Sequence, residues 1–177
     1  RRALGQPALA VHRQHPGPRP GEQQRRGPPV ADPLARGAGA AVILPRDELF
    51  KSLTVPDAKL IRNRPVLYEP LADVTKVIGM APVKDHHRSG ASMTMKNWYG
   101  LLGGPRNRLH QAIHEVITDL AQFIRPTLVV LDGSRLLVSN GPTGGSPSDV
   151  RPGHVIAAGT DQVAIDCFGA RLLGLDP

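Results

Sequence analysis

The feature that most constrains the fold is an alternation of apolar strand-like runs and helical runs, which begins near Phe50 and continues through the chain. Residues 109–124 place their apolar side chains on one helical stripe, and Arg125–Pro126 ends the predicted helix. The wholly apolar run at 127–131 is typical of a strand in a sheet covered on both faces. The other predicted elements are a strand at 74–80, a helix at 90–102, a strand at 154–158 and a final helix capped by Asp161. This order predicts an α/β fold with a mainly parallel sheet flanked by helices.

Residues 1–49 have a different character, because they are rich in Arg, Pro, Gly and Ala and show neither helical nor strand periodicity. Such a segment cannot bury enough apolar surface to offset the entropy lost on ordering. We therefore expect residues 1–49 to be irregular or disordered and residues 50–177 to form the α/β domain. The abrupt change near Phe50 also suggests a second hypothesis, that residues 1–49 are an out-of-frame translation of a GC-rich gene.

The charge of the chain argues against nucleic-acid binding, although the net charge is +7 and the pI is near 10.3. The excess is divided between the two parts of the chain, with +4 in residues 1–50 and +3 in residues 51–177, and no basic helix face is interleaved with aromatic residues. The single cysteine, Cys167, excludes an iron–sulfur cluster held by this chain alone.

The sequence also lacks the signals that would direct it to a membrane. No apolar run approaches the roughly 20 residues that a membrane span requires. Arg1–Arg2 are not followed by the apolar region of a signal peptide, so a cytoplasmic location is the default expectation.

The first candidate site is the stretch KDHHRSGASMTMK at residues 84–96, which follows a predicted strand. Loops at strand ends are the usual ligand sites of open α/β sheets. Neutral histidines can bind a metal or transfer a proton near physiological pH. We expect His86, His87 and Lys96 to act in catalysis, with Lys84 and Asn97 binding a ligand or cofactor. The alternative is a solvated turn with ordinary surface charges.

The second candidate site is the pair His110 and His114, whose spacing places both imidazoles on one face of a helix. Two histidines at this spacing can bind one transition metal. The alternative, which the missing glutamate of the zinc-protease helix favours, is a pair of exposed histidines on an amphipathic helix.

The third candidate site combines Asp132 with Gly141 in the loop NGPTGGSPSD at residues 140–149. An acidic side chain at the end of a buried strand, facing a glycine-rich loop, suits cation or ligand binding. The loop has neither the P-loop nor the dinucleotide-binding pattern, so both nucleotide motifs are rejected. A plain structural turn is the alternative.

The ordered motifs together resemble the domain of unknown function 362 family over about residues 55–177. The matching runs are VTKVIGMAPVKDHHRSGASMTMKNWYGLLGG, the His110-x-x-x-His114 pair, TLVVLDG, NGPTGG and HVIAAGTDQVAIDCFGARLLGLDP. The resemblance implies that residues 50–177 are the C-terminal part of a larger domain. Because the sequence does not start with methionine, we also expect the chain to be a fragment. Some members carry ferredoxin-like clusters and some are exported. By resemblance the motif positions are Lys84, His86, Lys96, Asn97, Gly100, Asp132, Gly141, Pro142, Asp161 and Asp166.

A more distant similarity is to the cofactor region of nickel-pincer lactate racemases. It implies that Lys96 holds a cofactor, that His86 or His87 acts as acid or base, and that His110 is a metal ligand.

Two classes of function follow. The first is an enzyme, metal- or cofactor-dependent, that acts on a small anionic substrate between Lys84 and Lys96 with Asp132 opposite. The second is a non-catalytic ligand-binding or redox-accessory domain that works with an iron–sulfur partner. The enzyme requires Lys96 and either His86 or His87 in the same pocket. The binding domain requires only a cationic surface.

Overall fold

The computed structural model describes residues 9–11, 31–142 and 146–177, and the chain divides into two units between Leu49 and Phe50. In the first unit, β1 (Leu9–Val11) pairs in parallel with β2 (Ala41–Ile43). The helix α1 (Ala31–Gly37) precedes β2 in the chain. Most of the segment predicted to be irregular, residues 1–8 and 12–30, lies outside the described residues, and its disorder stays a prediction.

The second unit opens with an antiparallel pair, β3 (Phe50–Leu53) and β4 (Arg64–Leu67). The connection between them is tied to the helix α3 (Ile113–Phe123) by one buried carboxylate. Asp119 accepts hydrogen bonds from three consecutive backbone N–H groups, those of Lys59, Leu60 and Ile61, at 2.7–3.0 Å. Because all three donors are satisfied by a single side chain, this loop has a fixed place against the helix.

The main sheet has four strands in the order β6-β5-β7-β8. Their bounds are Ile78–His86 for β5, Gly90–Ser92 for β6, Leu128–Leu137 for β7 and Val150–Gly159 for β8. Only β5 and β7 run parallel, whereas β5 with β6 and β7 with β8 are antiparallel. The α/β fold is therefore confirmed, but the sheet is mixed and not mainly parallel. The short turn between β5 and β6 allows only an antiparallel return.

The strand predicted at 74–80 begins later than the sequence indicated, at Ile78. It also runs further, to His86, because Pro82 does not end it. In the described part of the chain β6 pairs with β5 only at residues Lys84–His86. The edge of β5 that faces β6 therefore has no strand beside it at Pro82. A proline is tolerated in a strand where no partner strand would accept a hydrogen bond from its missing N–H. The pairing with β7 shifts register between Pro82 and Lys84.

The helices are shorter than predicted. Residues 90–92 of the predicted 90–102 helix form β6, and α2 (Thr94–Asn97) then continues as a 3-10 turn at Trp98–Leu101. The predicted 109–124 helix is α-helical only in α3, after a 3-10 segment at Arg106–Ala112. The final helix, α4 (Gln162–Leu172), is capped as expected, since the Asp161 carboxylate accepts from the N–H groups of Val163 and Ala164.

The helices cover one face of the sheet. There, Val83, Met93, Leu131, Leu136 and Ala170 form a buried cluster. On the opposite face Ile78, Met80 and Ile156 are 58–69% exposed, so the prediction of a sheet covered on both faces is wrong for this unit. Among the described residues, no helix has the length and apolarity needed to cross a membrane.

Candidate functional site

The end of β5, the helix α2 and the 3-10 segment at Arg106–Ala112 bring four of the predicted residues together. His86 is buried, at 2% exposure, and its ring stacks on the ring of His87 with centroids 5.0 Å apart. The ring of His110 lies 6.4 Å from that of His86 and within 13° of parallel. Lys96 is only 5% exposed, and its Nζ lies 5.7 Å from the centroid of the Tyr99 ring. We call His86, His87, Lys96, Tyr99 and His110 the histidine–lysine cluster.

Lys96 is positioned by a buried carboxylate on another helix. Asp166 of α4 accepts from the N–H groups of Thr94 and Met95, both at 2.9 Å, and from the Thr94 hydroxyl at 2.5 Å. These contacts satisfy the first N–H groups of α2, which lacks a side-chain cap of its own. Burial raises the pKa of Asp166, and its three hydrogen bonds act in the opposite direction. The start of α2, and with it Lys96, is therefore fixed by α4.

The tautomer of His86 follows from its contacts. Its Nδ1 is 3.2 Å from the backbone nitrogens of both Arg88 and Ser89, which can only donate. Nδ1 is therefore the acceptor, and a neutral His86 carries its proton on Nε2. The tight turn after β5 thus determines which ring nitrogen can donate to a ligand.

His110 has the opposite arrangement. The Tyr99 hydroxyl lies 2.5 Å from the Arg106 carbonyl oxygen, so its one proton is donated to that oxygen. The same hydroxyl lies 2.9 Å from Nδ1 of His110 and must accept there. A neutral His110 therefore carries its proton on Nδ1, which leaves a lone pair on Nε2.

Both histidines are held in the neutral form. Burial first, and the charge of Lys96 second, lower the pKa of His86 from 6.5 to about 4. Burial and then Lys96 and Arg88 also lower the pKa of His110, against a hydrogen bond to the Arg106 carbonyl that raises it. At neutral pH the cluster therefore offers a buried cation beside the uncharged imidazoles of His86 and His110, an environment suited to an anion and to proton transfer.

The loop at residues 140–142 is fastened beside the cluster. Asp85 accepts from the Gly141 N–H at 3.0 Å, and Nδ1 of His87 lies 3.4 Å from the Gly141 carbonyl oxygen. A Cβ at Gly141 would stand 2.0 Å from the Asp85 carbonyl oxygen, so only glycine allows this approach. The predicted Gly141 thus lies next to His87, where it brings the loop to the end of β5.

The remaining predicted residues lie elsewhere or have structural contacts. Asn97 donates to the Met80 carbonyl oxygen at 3.0 Å, which ties α2 to β5. Lys84 is half-buried in β5, in register with Ser92 and Leu137.

Asp132 does not end its strand, as the sequence suggested. It is exposed in the middle of β7, which continues to Leu137, and its carboxylate accepts from the Ser134 N–H. Hydrogen bonds from Ser134 lower the pKa of Asp132. Its position in mid-strand differs from the predicted place facing the glycine-rich loop.

His110 and His114 do not form the predicted pair on one continuous helix. His110 belongs to the 3-10 segment, α3 begins only at Ile113, and His114 is exposed. Across the described ranges no group of three or more His, Cys, Asp or Glu side chains is arranged to hold a metal ion. The transition-metal site that the spacing of His110 and His114 suggested therefore stays a prediction.

Sequence reasoning missed Tyr99 and Arg106, which define the protonation of His110. A signal for Tyr99 was available, since it follows Lys96 by three residues and shares its helical face. Arg106 contributes a backbone carbonyl, which no side-chain pattern can reveal.

Comparisons with known proteins agree with the motif order. The family described as "Domain of unknown function (DUF362)" matches residues 31–171, which are most of the chain. The match begins before residue 55, where the resemblance in the motifs begins. A protein of Synechocystis sp. described as thylakoid-associated is 29% identical over 113 residues, covering 59% of this chain and 34% of that protein. The chain thus spans about a third of the length of this curated relative. No solved structure matches.

Proposed function

This chain belongs to the domain of unknown function 362 family, and on that premise we propose that residues 50–177 carry the site of an enzyme that acts on a small anionic substrate. The observation that supports the proposal is the burial of Lys96 beside His86 and His110. An ammonium group in surroundings of low dielectric attracts an anion more strongly than the same group does at the surface. Neutral imidazoles beside it are the groups that can move a proton on a bound substrate.

Each group has a distinct role in this proposal. Lys96 attracts the anion and orients it. His86, protonated on Nε2, donates a hydrogen bond to the anion. His110 is the general base, because its Nε2 carries a lone pair and its Nδ1 is anchored on Tyr99. Arg88 and Arg106 add positive charge that acts on His110.

The Gly141 loop completes the proposed site. Through Asp85 and His87 it lies at the end of β5, where it can help to exclude water from a bound anion. The proposal includes no metal. No observation supports the alternative of a redox-accessory domain beside an iron–sulfur protein, and this chain has a single cysteine.

The proposal is tested by titrating the protein with inorganic phosphate and following the imidazole signals by NMR. We expect saturable shifts of the His86 and His110 signals, and a rise of the His110 pKa as the anion offsets the charge of Lys96. Lys96→Met should weaken phosphate binding at least about tenfold, whereas Lys76→Met, the same change at an exposed lysine, should have no effect. Equal binding by the Lys96→Met protein would refute the proposed site.

Lys96→Arg separates the two classes of function. A pocket that positions substrate for catalysis should lose affinity, because the larger planar guanidinium does not fit a buried ammonium site. A module that needs only cationic surface should bind phosphate as well as before.

A further inference from the structure

We propose that this site recognises an oxyanion that still carries its own proton, such as hydrogen phosphate or the monoanion of a phosphate monoester, because His86 and His110 are held in opposite tautomers. The inference rests on the proposed function and deepens it by naming the class of ligand. It also assigns a positioning role to Tyr99.

The first half of the argument is the donor. His86 is locked by two backbone N–H groups, those of Arg88 and Ser89, that both point to Nδ1. Reversing its tautomer would set a ring N–H against both of these donors in a buried position and leave them without an acceptor. His86 therefore presents an N–H to a ligand at Nε2.

The second half is the acceptor. The Tyr99 hydroxyl can donate once, and the Arg106 carbonyl takes that proton. The hydroxyl oxygen then accepts from Nδ1 of His110, which leaves Nε2 of His110 as an acceptor. Nδ1 of each ring is thus engaged within the protein, so Nε2 is the nitrogen through which each ring can meet a ligand.

A donor and an acceptor beside one buried lysine select for a particular ligand. Sulfate and hydrogen phosphate are both tetrahedral dianions, and Lys96 cannot tell them apart by charge. Hydrogen phosphate can donate its O–H to Nε2 of His110, whereas sulfate would place a bare oxygen against that lone pair. Sites built to satisfy a ligand hydroxyl reject analogues that lack it, because the protein group is then left unpaired.

Tyr99 acts through His110 and is not expected to touch the ligand. Without its hydroxyl, Nδ1 of His110 loses the acceptor that lies 2.9 Å away, and the hydrogen bond to the Arg106 carbonyl alone holds the ring tautomer less firmly. Phosphate selectivity should then fall while the attraction of Lys96 for any anion persists. If Tyr99 had a purely structural role, its replacement would weaken the binding of phosphate and of sulfate alike.

The experiment compares phosphate with sulfate on the full chain at neutral pH and matched ionic strength, by calorimetric titration. Nitrogen-15 NMR of the histidine rings reports the tautomers directly. We expect the His86 signals of an Nε2–H ring, the His110 signals of an Nδ1–H ring, and phosphate bound at least about tenfold more tightly than sulfate. Tyr99→Phe should reduce this preference several-fold, and Tyr68→Phe, at the other tyrosine of the chain, should leave it unchanged.

A second variant keeps the test decisive if Tyr99→Phe does not fold. His110→Gln carries an amide that can turn either its oxygen or its N–H toward the ligand, so the preference for phosphate should disappear while binding remains. Equal affinity of the unmodified protein for the two anions, or a His110 ring protonated at Nε2, would overturn the inference and leave the anion site standing. Failure of both anions to bind would overturn the proposed function as well.

Discussion

The rings of His86 and His110 lie 6.4 Å apart and within 13° of parallel, although one ends a strand and the other belongs to a 3-10 segment. Lys96 acts electrostatically on both rings. The tertiary structure thus places two neutral imidazoles close enough to one buried ammonium group for its charge to lower the pKa of both rings.

Acid should destabilise the fold through His86. The unfolded chain binds a proton at this ring below about pH 6.5, whereas the folded chain does so only near pH 4. The folded state therefore loses stability as the pH falls from 6.5 to 4, by at most about 3 kcal/mol from this group. Chemical denaturation across this pH range measures the loss.

The matched variant for this measurement is His86→Asn. The asparagine oxygen can accept from the Arg88 and Ser89 N–H groups as Nδ1 does, but it does not titrate. The difference in unfolding free energy between the two proteins should change with pH between 6.5 and 4. A constant difference over that range would show that the pKa of His86 is not depressed.

Removing the charge of Lys96 should raise the pKa of both His86 and His110. In each case the ammonium group is the second-largest cause of the lowered pKa, after burial, and burial remains in a Lys96→Met variant. NMR titration of the two rings in ligand-free protein measures the shift. Unchanged pKa values in the variant would mean that Lys96 lies too far away to act on them.

Replacing Asp166 should loosen α2. In Asp166→Asn one oxygen becomes an N–H₂ group that faces the N–H of Met95 in a buried position, so we expect a loss of about 2–3 kcal/mol. The control is Asp161→Asn, because asparagine caps a helix about as well as aspartate and the change should cost less than about 0.5 kcal/mol. Urea denaturation compares the two, and equal losses would contradict a special role for Asp166.

Adding one methyl group at Gly141 should displace the loop. The new Cβ would overlap the Asp85 carbonyl oxygen, so Gly141→Ala must break the contacts with Asp85 and His87 at a cost of about 2 kcal/mol or more. Gly37→Ala, where a Cβ would meet no atom within 4 Å, is the control. Amide exchange at position 141 and thermal denaturation measure the effect, and unchanged exchange in the Gly141→Ala protein would refute the close approach.

Some of the site could be predicted from the sequence because its signals are local. His86 and His87 follow a strand pattern and Lys96 a helical one, and consecutive elements usually lie close together in an α/β fold. Local periodicity also predicted the strand at β7 and the cap at Asp161. Local signals misplaced Asp132, because the strand continues past the Asp-Gly pair that resembled its end.

The pairing of His110 with His114 fails for a related reason. Their spacing predicts one helical face only if the helix is continuous, and here α3 begins between them. The partners of the cluster were equally hidden from the sequence, since the Arg106 contact is a backbone carbonyl and Asp166 lies 70 residues beyond Lys96.

The sequence by itself determined the α/β class, the family and the candidate residues of the site, because these depend on composition, periodicity and the order of motifs. The tertiary structure decided the mixed sheet, the meeting of Lys96 with His86 and His110, and which nitrogen of each ring holds the proton. These last properties depend on hydrogen bonds between groups far apart in the chain or on the backbone itself, and only the packing of the helices on the sheet brings those groups together.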